Sequence, residues 1–351
     1  MKRIALIPGD GIGVEVTRQV ARLIDRMRVG GTAIEWTKFD FGAERYLRTG
    51  VTITDDEMAT IERDFDAIFL GAMGDPRVPD NAHARAILLG LRFRLDLYIN
   101  LRPVRLLDER LSPLRDPGTI DMVIFRENTE GVYAGVGGLL KAGTADEVAI
   151  EEDINTRKGV ERIIRAAFEF ARSHGRRRVT LTDKANAMPH AGSLWRRTFA
   201  SVGKEFGDIE REAVYADALA LDLVRRPGRY DVIVAPNLFG DLLSDLAAAL
   251  VGGLGVAPSA NLHPGRPGLF EPVHGSAPDI AGTDRANPLA AMLTAALMFE
   301  HIGLAAEAVA IETAVRDAIR AGMVTPDLGG ELGTDAVGEW VRERAERLTL
   351  A

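Results

Sequence analysis

The sequence contains no cysteine. That excludes disulfides, thiolate zinc sites and cysteine nucleophiles, and it fits a reducing cytoplasm. A basic excess is also missing. The 43 Lys and Arg stand against 51 Asp and Glu, a net charge of -8, which argues against a protein that grips nucleic-acid phosphates. Long apolar runs are absent too. The longest, around Leu289–Phe299, is too short to cross a bilayer, and Met1–Ile7 meets Pro8-Gly9 too early for a signal peptide. What is present is a globular balance of 46% hydrophobic and 27% charged residues over 351 positions, enough for one large or two medium domains. The expectation is a soluble, cytoplasmic protein with neither a nucleic-acid nor a membrane partner.

The chain alternates strand and helix patterns. Arg3–Ile7 reads as a buried strand and Val14–Met27 as a helix, with Val16, Val20, Leu23, Ile24 and Met27 on one apolar stripe. Ile34–Phe41, Thr54–Arg63 and Phe65–Leu70 continue as strand, helix and strand. Such alternation predicts a parallel sheet covered by helices. After a break it resumes: a helix over Lys158–Ser173 with Thr156 as N-cap, a strand over Arg177–Thr182 and a helix over Leu194–Val202. A strand around Val214, another over Tyr230–Ala235 and a helix over Leu242–Leu250 follow. Ala290–Glu300, Leu304–Arg320 and Thr334–Leu348 read as closing helices. Two stretches depart from the alternation. Residues 131–152 read as a glycine-punctuated β-ribbon, suited to a symmetric dimer clasp or to a plain surface hairpin. Residues 252–267 read as a loop rich in Gly and Pro.

Charged residues gather at the carboxyl ends of these strands, where sheet folds place their chemistry. Asp241 and Asp245 are four apart, so on a helix the two carboxylates stack on one face and repel. A divalent cation with hard oxygen ligands would relieve that repulsion; the plainer alternative is a pair of helix-start acids favoured by the dipole. Arg92, Arg102 and Arg126 stand at strand or helix ends near glycines, and planar guanidinium forks suit an acidic substrate. Lys184 and Asp217 follow two further strands, as a plain ion pair or as a general base beside a carboxylate. Gly9-Asp-Gly-Ile-Gly13 lacks the G-x-G-x-x-G spacing and reads as a tight turn. The polar stretch Leu269–Gly282 has the character of a functional loop.

Six motifs in order carry a resemblance. Pro8-Gly-Asp-Gly-Ile-Gly13, Asn100-Leu-Arg-Pro103, Arg126-Glu-Asn-Thr-Glu-Gly131, Asp183-Lys-Ala-Asn186, Asn237-Leu-Phe-Gly-Asp-Leu-Leu-Ser-Asp245 and Glu271-Pro-Val-His-Gly-Ser-Ala-Pro-Asp-Ile-Ala-Gly282 together resemble the metal-dependent β-decarboxylating dehydrogenases. These act on isocitrate, 3-isopropylmalate, homoisocitrate, or tartrate and D-malate. The likeness runs from residue 8 to Asp327-Leu-Gly-Gly330. It implies an α/β fold of the two-domain isopropylmalate dehydrogenase type, a parallel or mixed sheet flanked by helices and not a Rossmann fold. One domain would comprise residues 1–99 and 252–351, the other 100–251, with residues 131–152 as the arm of a homodimer whose subunits share their active sites.

The resemblance also implies roles. Arg92, Arg102 and Arg126 would bind the carboxylate that leaves as CO2. Asp241 and Asp245, with Asp217 of the partner subunit, would hold Mg2+ or Mn2+. Lys184 of the partner subunit would accept the hydroxyl proton as hydride leaves C2, and Tyr133 would protonate the enol after decarboxylation. Ile12, Glu271, His274, Gly275, Ser276, Ala277, Asp279, Ile280 and Asn287 would form the cofactor site. Asp279 stands where NAD-using members place an acid against the ribose hydroxyls, which implies NAD over NADP. Leu88 and Leu89 match the apolar pair that meets the isopropyl group of 3-isopropylmalate. Where isopropylmalate enzymes carry a Glu before that pair, this chain has Ala84-Arg85. That departure keeps D-malate, tartrate and homoisocitrate as alternative substrates. A non-catalytic regulatory subunit is the alternative from another class.

Overall fold

The computed structural model describes residues 1–29 and 31–350. The chain divides into two compact units: residues 1–97, 106–115 and 248–351 form the first, and 98–105 and 116–247 the second. Residues 106–115, assigned to the second domain by resemblance, fall in the first. Arg110 accounts for the difference, because its guanidinium donates to the carbonyls of Ile319 and Arg320.

The first unit opens with β1 (Lys2–Gly9), α1 (Ile12–Val29), β2 (Ile34–Lys38), α2 (Ala43–Thr49), α3 (Asp55–Asp64), β3 (Ala67–Ala72) and α4 (Ala82–Arg94). The second contains β4 (Ile99–Arg105), β5 (Asp121–Glu127), the hairpin β6 (Gly137–Leu140) and β7 (Val148–Glu151), then α5 (Arg157–Ser173) and β8 (Arg178–Asp183). It continues through α6 (Pro189–Gly203), β9 (Glu210–Tyr215), α7 (Ala216–Arg225), β10 (Val232–Ala235) and α8 (Asn237–Ala249). The chain returns to the first unit with β11 (Pro258–Leu262), β12 (Gly268–Pro272), α9 (Leu289–His301), α10 (Ala305–Arg320) and α11 (Thr334–Thr349).

In the first unit the strand order is β2-β1-β3-β12-β11, parallel except for the antiparallel β11–β12 pair. In the second it is β4-β5-β10-β8-β9, parallel except for β4–β5. The expected loop at 252–267 therefore holds a strand. Ser259, Ala260 and Asn261 are buried, and the hydrogen bonds to β12 satisfy a backbone that composition alone marks as irregular. The first unit's core includes Ala5, Ile7, Ile68, Leu70, Ile87 and Leu91, buried from strands and helices alike. In the second unit Val160, Ile163, Ile164, Ala167, Phe168 and Ala171 bury the predicted stripe of α5, and Thr156 caps it by accepting from Gly159 N at 3.0 Å.

Two features position the site-bearing loops of the first unit. Gly11 has φ +52°, and an added Cβ would stand 2.1 Å from the Ser276 carbonyl oxygen; Ile12 N donates to that same oxygen at 2.8 Å. The tight turn is thus docked on the 274–280 loop. Asp10 is buried, and its carboxylate accepts from Ala43 N at 2.6 Å and Gly74 N at 2.8 Å, with His83 Nε2 2.8 Å away. It supplies the N-terminal anion that α2 lacks from its own Gly42 cap. No helix among the described residues is long and apolar enough to cross a membrane.

Candidate active site

Helix α8 starts at Asn237, five residues before the sequence-based expectation, because Gly240 N already bonds the Pro236 carbonyl at 2.8 Å. Gly240 lies in the segment left between the expected strand and helix. Its reason is packing: a Cβ there would lie 2.7 Å from the Cβ and Cγ of Arg126. The longer helix settles one alternative. Asp241 and Asp245 become its fifth and ninth residues, and its first turn contains no acid. They are not dipole-favoured starting residues, since that effect fades beyond the first turn.

Arginines converge on the pair instead. Asn100 lies opposite Arg126 across β4–β5, and Arg102 is two residues on, so the three side chains share one face. Arg102 is buried and donates to Asn100 Oδ1 at 2.8 Å, Ser244 Oγ at 2.6 Å and Asp245 Oδ1 at 3.0 Å, with Asp241 Oδ1 at 3.2 Å. Arg126, also buried, donates to Asn237 Oδ1 at 2.9 Å and to Asp241 Oδ1. The arginines are the desolvated partners of these pairs, so each needs its carboxylate to offset burial of the charge. Asn100, Asn237 and Ser244 were not singled out by sequence reasoning. Spacing signals the first, two residues from Arg102 on a strand; the other two stand in the 237–245 motif but were given no role.

Tyr133 completes this cluster. It donates its phenol O–H to Asp241 Oδ2 at 2.7 Å, and the Arg126 guanidinium carbon lies 4.9 Å from its ring centre. Burial first, and the Asp241 carboxylate second, push the phenol above its usual range, so the proton stays on oxygen at neutral pH. Asp245 is also held above the carboxylate range, by desolvation of its protein-facing side despite the opposing Arg102 charge, with Asp241 adding like-charge repulsion. Two stacked carboxylates with this repulsion form a hard-oxygen donor pair that suits Mg2+ or Mn2+.

Lys184 and Asp217 meet elsewhere in the second unit. Lys184 follows the end of β8, and Asp217 lies in the first turn of α7, a helix that sequence reasoning had missed. Lys184 Nζ is 2.7 Å from Asp217 Oδ1, and this hydrogen bond is the first cause holding the Asp217 carboxyl below its ordinary range. Among the described residues no three His, Cys, Asp or Glu side chains gather as a metal cage, so Asp217 does not join Asp241 and Asp245 within one chain.

The remaining sequence-derived residues belong to the first unit. Arg92 is buried on α4 and donates to Glu271 Oε1 at 2.7 Å; Asn261 Nδ2 donates to the same oxygen at 3.0 Å. Leu88 and Leu89 precede it by one turn and are partly exposed, with Leu88 also leaning on the core. In the 274–280 loop, Ala277 has φ +36°, Asp279 is exposed, and burial lowers the pKa of His274, whose Nε2 has no partner. Asn287 commits both ends of its amide: Nδ2 donates to Asp327 Oδ2 at 2.9 Å and Oδ1 accepts from Leu289 N at 2.9 Å.

Comparison with known proteins agrees with these motifs. The isocitrate/isopropylmalate dehydrogenase family matches residues 3–341. A 3-isopropylmalate dehydrogenase from Corynebacterium kroppenstedtii is 47% identical over 340 residues, 96% of this chain and 97% of that protein. One from Beutenbergia cavernae is 45% identical, covering 95% of this chain and 98% of its own length. The crystal structure of isocitrate dehydrogenase from Methylococcus capsulatus superimposes with a TM-score of 0.91 at 38% identity, over 99% of this chain and all of that one (100%). The mixed α/β sheet with flanking helices is the one these proteins share, and the chain belongs to the isocitrate/isopropylmalate dehydrogenase family.

Proposed function

We propose that the chain is an NAD- and divalent-metal-dependent 3-isopropylmalate dehydrogenase, oxidising C2 of a (2R)-malate derivative and releasing CO2. The observation that carries this reading is the cluster of Asp241, Asp245, Arg102, Arg126 and Tyr133 on one face of β4, β5 and α8. Asp241 and Asp245 would hold the cation, with Asp217 of the partner subunit as the third carboxylate. The bound groups supply Lewis-acid stabilisation of negative charge on the C2 oxygen, from Mg2+ or Mn2+, and a hydride acceptor, from NAD.

The chain's own residues do the rest. Arg102 and Arg126 would fix the departing carboxylate with directional charge-assisted bonds, a role the motifs also imply for Arg92. Lys184 of the partner subunit takes the hydroxyl proton. Tyr133 keeps its phenol proton at neutral pH and delivers it to C3 once CO2 has left. Asp279, which is exposed, would meet the ribose hydroxyls of NAD and repel a 2′-phosphate. With like charges opposed at several kcal/mol, kcat/KM with NAD is expected to exceed that with NADP by about 10²-fold or more; comparable values would sink the assignment.

A homodimer follows from the same reading. Leu221 of α7, Leu238 and Leu242 of α8, and Leu139, Leu140 and Ile150 of the hairpin are exposed apolar side chains in elements that a second copy would cover. The absence of cysteine suits the cytoplasm.

One observation favours a second substrate. Arg85 lies on the α4 stripe with Leu88, Leu89 and Arg92, exposed. Its cation suits a polar or acidic group at that end of the substrate, as in D-malate, tartrate or homoisocitrate. The competing apolar contact with Leu88 and Leu89 is worth only about 1–3 kcal/mol of discrimination, so overlapping activities are expected. The test is steady-state kcat/KM on 3-isopropylmalate, D-malate, tartrate, homoisocitrate and isocitrate with NAD and Mg2+. Turnover highest on 3-isopropylmalate supports the reading; highest on D-malate or homoisocitrate transfers it to the second. No turnover of any favours a regulatory subunit, against which stands the complete set of arginines, aspartates, Lys184 and Tyr133.

A further inference from the structure

Arg196, on α6, is not among the residues to which a role has been given. Its Nε and Nη2 donate to Asp183 Oδ2 and Oδ1 at 2.8 and 2.9 Å, a two-pronged fork. Its guanidinium carbon also lies 4.6 Å from the Tyr215 ring centre. Asp183 and Tyr215 are register partners and the last residues of β8 and β9. The next residue after Asp183 is Lys184, and two residues after Tyr215 comes Asp217. One side chain therefore touches both strand ends from which the Lys184–Asp217 pair projects.

The surroundings are built tightly. Asp183 is buried, and its Oδ1 also accepts from Ala185 N at 3.1 Å. The Lys184 carbonyl accepts from Ala187 N at 2.9 Å and Met188 N at 2.8 Å, closing the turn that leads into α6. On that helix an added Cβ at Gly192 would stand 2.3 Å from the Ala185 Cβ, so α6 rests directly on the Lys184 turn. We propose that Arg196 is a positioning residue: it fixes the ends of β8 and β9 together and thereby sets the geometry of Lys184 and Asp217. This rests on the reading above, in which Lys184 takes the hydroxyl proton and Asp217 helps hold the metal.

The competing role is neutralisation of a buried Asp183, which any cation would perform. Arg196→Lys keeps the charge and loses the fork. Arg196→Met loses both, and Asp183→Asn with Arg196→Met removes both charges so that no buried carboxylate is stranded. All three are expected to lower kcat by about 10- to 100-fold, the scale of a misplacement approaching 1 Å, while KM for NAD stays unchanged. Mn2+ affinity, read by electron paramagnetic resonance without NAD, is expected to weaken several-fold in the same variants. Wild-type kcat and Mn2+ affinity in Arg196→Lys, or their recovery in the double variant, would overturn the proposal and leave only neutralisation. Lys184→Met and Asp217→Asn are measured beside them. Full turnover in that pair would remove the underlying reading and the proposal together, whereas their inactivity beside a wild-type Arg196→Lys removes the proposal alone.

Discussion

Helices α7 and α8 follow β9 and β10, which flank β8 in the same unit, and both carry aspartates expected at a metal, yet they present them oppositely. On α8, Asp241 is met by Arg126, Arg102 and Tyr133, and its side chain is 28% exposed. On α7, Asp217 is 68% exposed, and the cation it meets is Lys184. One carboxylate has its geometry imposed by buried arginines; the other faces outward with its charge answered by one flexible amine. In the proposed reading, the first is the half of the site pre-organised within a chain and the second the half offered to another copy.

The largest test removes the imposed half. Asp241→Asn is expected to lower kcat/KM by about 10²–10³-fold, as for loss of a major electrostatic contact in a reacting site, with the fold retained in thermal unfolding. A fully active variant would return these residues to a structural role. Next comes the outward half. If Asp217 serves the neighbouring subunit, mixing inactive Asp217→Asn and Asp241→Asn protomers gives half heterodimers, each with one complete site. About a quarter of wild-type activity should return, by the two-fold symmetry of a shared site. No recovery on mixing would end the contrast drawn between the two helices.

A smaller effect separates geometry from charge within α8. Arg102→Lys keeps a cation but cannot span Asn100, Ser244 and both aspartates, so about a ten-fold loss is expected, mainly in substrate KM. An unchanged KM would mean that charge alone suffices. The smallest is a control from α3, where Glu57 does what a helix-start acid does. Thr54 N donates to it at 2.9 Å, and Arg45 bonds both its oxygens, at 2.7 and 2.8 Å. The Arg45 bond is the first cause holding its carboxyl below the usual range. The folded state therefore favours the charged form, so its contribution is present at neutral pH and lost as pH falls through the depressed value. Glu57→Gln is expected to cost about 0.5–1 kcal/mol at pH 7, and the gap to close in acid unfolding curves.

Much of this was legible in the sequence, and the failures have physical causes. Strands β1, β2, β3, β8, β9 and β10 and the α5 stripe were located by hydrophobic pattern, whereas β11 was read as a loop rich in Gly and Pro. The start of α8 was misplaced because Gly240 weakens a helix pattern, and its reason, the flank of Arg126, comes from a strand more than a hundred residues away. Helix α7 was missed because ten residues beginning at a strand end offer little periodicity. The aspartates and arginines were found as residue types at strand ends. Their partnerships were not, since Arg92 with Glu271 or Arg196 with Asp183 are decided by packing between elements that pattern cannot pair.

The split first unit has a consequence for synthesis. Ala67 of β3 pairs with Gly268 of β12, about 200 residues later. A ribosome adding roughly 5–20 residues per second needs roughly 10–40 s to cover that distance. During that time one edge of β3, a strand buried along its whole length in the finished fold, waits without its neighbour. The second unit, which is almost entirely encoded in between, can close first. The unit whose synthesis begins first is therefore the last that can be completed.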